Sequence, residues 1–146
     1  MTKNAKFHVG VKALIKNKNN EILLIKSGAK KPKVFKQDMV FWDFPGGKIK
    51  IGENVEKAMI REVEEEIHNK IEIEKIFDAT VSNFRDNSEK NLFLMIIVYK
   101  CKLLTKKSPK LSWEHSEWNW FPLVEAKKLL SVKYTKSFVN KLDKLA

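Results

Sequence analysis

The sequence predicts an α/β fold, an α/β/α sandwich with a mixed β-sheet between helices. Three observations lead there. Residues 7–16 and 21–26 read as strands, the first from its alternating apolar side chains. Val55, Met59, Val63 and Ile67 recur every four residues with Ala58 alongside, the spacing of a helix that buries one stripe. Residues 92–99 are apolar without interruption, as in a strand covered on both faces. A chain of 146 residues, 43% apolar with nine Phe and four Trp, has the length and core material of one domain, here residues 1–146.

The elements follow in order. Asn17-Lys18-Asn19-Asn20 supplies turn residues between the first two strands, so a hairpin is expected. A basic loop over 27–38, carrying Lys30, Lys31, Lys33 and Lys36, leads to a short strand over 39–44. Pro45-Gly46-Gly47 closes that strand with a sharp turn whose backbone N–H groups can approach a ligand. Gly52-Glu53-Asn54 opens the helix, with Asn54 as N-cap and Glu53 and Glu56 at the positive end of the dipole. Residues 71–84 and 91–103 read as two long strands joined by Arg85-Asp86-Asn87-Ser88. Pro122 suits the first position of a helix over 123–130, and Phe138, Leu142 and Leu145 give helical spacing over 134–145. Repeats and low-complexity linkers are absent.

Composition narrows the setting. The single cysteine, Cys101, can form no internal disulfide and reads as a buried strand residue. The start, MTKNAKFHVG, lacks the apolar centre of a signal peptide, and no apolar run is long enough to cross a bilayer, so a cytoplasmic protein without membrane contact is expected. A net charge of +11, from 29 basic and 18 acidic residues, suits a polyanionic partner such as a nucleotide or RNA, and also a solvated lysine-rich surface, the reading favoured for the lysine cluster.

The most informative segment is 47–69, GKIKIGENVEKAMIREVEEEIHN. Residues three and four apart share a helix face, so Glu62, Glu65 and Glu66 present their carboxylates together, with Arg61 beside them and Glu53 near the helix entry. Each like-charge pair at that spacing costs a helix about 0.2–0.5 kcal/mol, a cost that becomes binding energy once a hard divalent cation sits among the oxygens. The segment resembles the box of the Nudix family. Gly47, Glu53, Arg61, Glu62, Val63, Glu65 and Glu66 stand in its register, preceded by Trp42-Asp43-Phe44-Pro45-Gly46. Two positions depart from it: His68 replaces a glycine and Asn69 an apolar residue, and His68 is expected to make the left-handed cap in the glycine's place.

The resemblance implies the same sandwich fold and a hydrolase that cleaves a nucleoside diphosphate linked to another moiety. Mg²⁺, or Mn²⁺, would be held by Glu62, Glu65 and Glu66, with Arg61 orienting the glutamates and the Gly46-Gly47 loop and Glu53 meeting the substrate. The general base is left open between Glu65 and an acid from the later stretch Trp113-Glu114-His115-Ser116-Glu117-Trp118. Glu114 is favoured over Glu117 because its distance from Trp120-Phe121 is similar to that of an extra metal-binding glutamate in MutT-type members. His115 is read first as a loop histidine hydrogen-bonded locally, with a part in tuning the site as the alternative, and His8 as structural. A nucleobase needs flat apolar surface, for which Phe84 and Trp118 are the candidates, Trp42 and Trp120 being assigned to packing.

The leading reading is therefore a MutT-like nucleoside triphosphate pyrophosphohydrolase. One alternative keeps the chemistry and changes the substrate to an RNA 5′-end or a dinucleoside polyphosphate. Another is a Nudix-like domain that binds a nucleotide or RNA without hydrolysis, a fate that the complete acidic set opposes.

Overall fold

A computed structural model describes residues 3–27, 40–85, 89–105, 107–111 and 117–145. The lysine cluster of the basic loop, and Trp113, Glu114 and His115, lie outside the described residues. Strands β1 (Lys6–Ile15), β2 (Ile22–Ser27), β3 (Phe41–Asp43) and β4 (Gly46–Lys48) precede helix α1 (Val55–Ile67). Then follow β5 (Ile71–Arg85), β6 (Leu92–Leu103), β7 (Glu117–Phe121), α2 (Leu123–Leu130), α3 (Lys136–Lys141) and a 3₁₀ turn (Leu142–Leu145).

The expected mixed sheet is present as four strands in the order β4-β1-β6-β5, in which β1 and β6 run parallel and the other pairs antiparallel. A second, antiparallel sheet has the order β3-β2-β7. The expected hairpin between the first two strands is corrected by this partition. Both edges of β1 are occupied, by β4 and β6, so β2 turns away after one bridge between Lys16 and Ile22 and joins the other sheet.

The alternation of β1 separates two cores. Val11, Ala13 and Ile15 face Ala58, Met59, Val63 and Ile67 of α1. Leu14 faces the opposite way, toward Phe44, Tyr134, Phe138 and Leu142 under α2 and α3. Helices thus cover the sheets on both sides, which explains the uninterrupted apolar run of β6.

Local differences from expectation have plain causes. Pro122 precedes α2 as its N-cap with extended ψ of 152° instead of entering the first turn. The last helix starts later than expected, after Thr135, whose hydroxyl accepts from the Phe138 N–H, and tightens into the 3₁₀ turn. β4 and β7 are strands beyond those the sequence pattern predicts. β4 is hidden by its glycines, whereas β7 shows its period of two: Trp118 and Trp120 pack on the α1 core while Glu117 and Asn119 are exposed.

Candidate active site

The start of β4 joins the two glycines to two of the glutamates of α1. The Gly46 N–H donates to Glu66 Oε1 at 2.9 Å, and Gly46 holds φ +142°, where a Cβ would lie 2.0 Å from the Val11 carbonyl oxygen. A Cβ on Gly47 would lie 2.3 Å from Glu62 Oε2. The glycines are therefore required for different reasons: Gly46 by its backbone and β1, Gly47 because the Glu62 carboxylate rests on it.

Arg61 organises the rest of the helix face. Its Nε donates to Glu53 Oε2 at 2.5 Å and its Nη2 to Glu53 Oε1 at 2.8 Å, a two-pronged pair that ties the helix entry to the middle of α1. Nη1 reaches Glu62 Oε1 at 2.9 Å and Glu65 Oε2 at 3.2 Å. These hydrogen bonds, led by Glu53, raise the Arg61 pKa against the opposing effect of desolvation. The hydrogen bond from Arg61, with a second from the Lys50 N–H, lowers the Glu53 carboxyl to about 2. Upstream, the Asn54 side chain accepts from the Lys57 N–H and caps the helix as expected.

The three helix carboxylates differ in surroundings. Glu66 is buried, Glu62 is half-buried, and the Glu65 side chain is 55% exposed. Their oxygens are the hard donors that Mg²⁺ or Mn²⁺ prefers, so the donor set fits such an ion. Among the described residues no three acidic, His or Cys side chains converge into a ready-made cage. Arg61, bonded to both Glu62 and Glu65, supplies positive charge on that face.

At the exit of α1, His68 takes φ 53°, ψ 40°, the left-handed cap expected of it. Its ring does more than the glycine it replaces: Nδ1 lies 2.6 Å from the Lys110 carbonyl oxygen, while the Lys110 N–H donates to the Ile67 carbonyl at 3.0 Å. Asn69 is buried, donates to Ile67 and receives the Thr105 hydroxyl. Both departures from the box thus fasten the chain after β6 to the helix exit.

The remaining named residues are dispersed. Phe84 is 7% exposed and packs edge-on against Phe41 at 4.9 Å, which leaves little ring face open. Trp118 is half-buried on β7 and lines a surface cavity of about 520 Å³ with Trp42, Leu111 and Phe121. Glu117, also on β7, is exposed 3.8 Å from Lys26. Burial pushes the Cys101 thiol up to about 12, in keeping with a packing role.

A buried charged network behind the turn escaped sequence reading. Asp43 Oδ2 receives Lys133 Nζ at 2.6 Å and faces Lys12 Nζ at 3.2 Å, while Oδ1 receives the Tyr134 hydroxyl at 2.6 Å. Burial alone would raise the Asp43 pKa, but Lys12 and Lys133 outweigh it and hold the carboxyl well below its usual range. The one visible signal was a lysine inside the apolar run of β1.

The Nudix domain model matches residues 6–142. The chain belongs to the Nudix family. A protein named 8-oxo-dGTP diphosphatase from Proteus vulgaris is 34% identical over 67 residues, 46% of this chain and 60% of that protein. Another of that name, from Escherichia coli K12, is 41% identical over 54 residues, 37% of this chain and 38% of that protein. The matches therefore span less than two thirds of these relatives. Among solved structures, a MutT protein from Methanosarcina mazei Go1 superposes with a TM-score of 0.76 at 24% identity, covering 98% of this chain and 97% of the other. A C. elegans Ap4A hydrolase does so at 0.68 and 22% identity, covering 95% and 96%. At these identities the solved structures attest the Nudix fold alone.

Proposed function

We propose that this Nudix domain is a divalent-cation-dependent hydrolase of nucleotide phosphoanhydrides, which splits a nucleoside triphosphate and water into a monophosphate and pyrophosphate. The observation that carries the reading is the seating of two carboxylates against two glycines: Glu66 on the Gly46 N–H and Glu62 on the Gly47 Cα. It fixes the acids able to recruit the counter-ion of a phosphate chain against the backbone of β4. The names of the Proteus and Escherichia relatives support the same class, with an oxidised purine nucleotide as a substrate to try first.

In this reading Glu62, Glu65 and Glu66 hold Mg²⁺ or Mn²⁺, which when bound offsets phosphate charge and lowers the barrier to attack by water. Arg61 keeps Glu53, Glu62 and Glu65 in fixed relation, so the acids need little rearrangement when substrate arrives. Gly46 and Gly47 let the backbone of β4 pass close to β1 and beneath the Glu62 carboxylate. Glu65 or Glu114 accepts the proton of the attacking water, and Trp118 offers a flank for the base.

The net charge of +11 favours one second reading, a 5′-triphosphorylated RNA end as substrate. A panel of nucleoside triphosphates, oxidised nucleotides, dinucleoside polyphosphates and short 5′-triphosphate RNAs, assayed with Mg²⁺ for released phosphates, separates the two. We expect turnover of a free triphosphate with weak salt dependence; turnover confined to RNA and falling steeply with salt supports the second reading. Binding without turnover of any compound contradicts both. In the same assay Glu114→Gln should lower kcat more than KM and Glu117→Gln should change little.

A further inference from the structure

Lys12 is 7% exposed and sits on the face of β1 opposite Val11 and Ala13, where the strand pattern asks for an apolar side chain. Its Nζ donates to the Gly46 carbonyl oxygen at 3.0 Å and lies 3.2 Å from Asp43 Oδ2. The Gly46 residue is thus gripped from both ends, its N–H by Glu66 of α1 and its C=O by Lys12 of β1. Desolvation works to discharge the lysine, but Asp43, then Glu66 and Glu62, more than compensate and raise its pKa. A buried ammonium therefore sits behind Gly46, whose N–H holds Glu66, one of the carboxylates that the proposed reaction assigns to the cation. Asp43 does not depend on this lysine alone, since it also holds Lys133, Tyr134 and the Phe44 N–H.

We infer that Lys12 is a positioning residue for the reaction: it fixes the Gly46 turn from behind, and its charge weakens cation binding by α1 until a polyphosphate brings compensating negative charge. This rests on the reading of Glu62, Glu65 and Glu66 as the cation site. The consequence is counter-intuitive, because removing a buried lysine from a functional network should tighten the binding of metal alone while impairing turnover. A fixed positive charge near the carboxylates opposes a dication in the free protein, and the opposition shrinks once phosphate oxygens share the site.

Titration of Mn²⁺ alone, with free ion followed by electron paramagnetic resonance, tests this on the parent protein and on Lys12→Met. Lys12→Gln, which keeps a donor for the Gly46 carbonyl, serves if Lys12→Met does not fold. Lys133→Met is the control for a general loosening of the Asp43 network. We expect the neutral Lys12 variant to bind Mn²⁺ about three- to tenfold more tightly than the parent, with Lys133→Met within about twofold of it. Unchanged or weaker binding overturns the role of Lys12, as does equal tightening in Lys133→Met. Glu66→Gln tests the underlying reading separately. Mn²⁺ binding that survives Glu66→Gln removes the cation from α1 and overturns both, whereas binding that is lost in Glu66→Gln but indifferent to Lys12 overturns the lysine's role alone.

Discussion

At the residue scale the two glycines of the turn make different demands, and substitution should separate them. Alanine at Gly46 would place its Cβ 2.0 Å from a β1 carbonyl at φ +142°, so backbone has to move. The nearest atoms to an alanine Cβ at Gly47 belong to the end of the Glu62 side chain, at 2.3 Å, and that carboxylate can swing away. We therefore expect Gly46→Ala to destabilise the fold by about 3 kcal/mol or more. Gly47→Ala should keep its melting temperature within about 4 °C while losing at least about tenfold in kcat, because Glu62 leaves its seat. Thermal melts together with turnover decide it; full activity in a stable Gly47→Ala protein removes Glu62 from the site.

At the element scale, α1 is held at both ends by residues whose roles are local. Asn54 as N-cap and His68 as left-handed cap were legible from the sequence because each depends only on its neighbours along the chain. The ring of His68 on Lys110 was not legible, since that contact spans 42 residues. It changes what the histidine is expected to do. The substitution His68→Gly relieves a left-handed strain of about 1–2 kcal/mol and removes a hydrogen bond worth about 1 kcal/mol, so global stability should stay within about 1 kcal/mol of the parent. The local effect should be clear: backbone amides of 107–111 should exchange faster in the His68→Gly variant, measured by hydrogen exchange, while those inside α1 do not change. Equal protection of 107–111 in parent and variant would show that the imidazole anchors nothing.

At the scale of the whole molecule, the sheets deliver residues from distant parts of the chain to one turn. That Glu62 and Glu65 share one face of α1, where both meet Arg61, was readable from helix geometry, and the α/β class because strand and helix periods are local. The division into two sheets was not readable, since it follows from β1 having both edges taken by β4 and β6. The Lys12–Asp43–Lys133 network was hidden for the same reason: it forms only when β1, β3 and the segment after α2 meet, with Asp43 and Lys133 90 residues apart. No helix among the described residues is long and apolar enough to span a membrane. The proposed function rests on the α1 carboxylates driving cation-dependent phosphoanhydride hydrolysis. Its most direct test is kcat for the best nucleotide substrate in Glu65→Gln and Glu66→Gln at saturating Mg²⁺. A fall of about a hundredfold or more in each, or about 2.7 kcal/mol of transition-state stabilisation, is the predicted result, and near-parent turnover in both would contradict the claim.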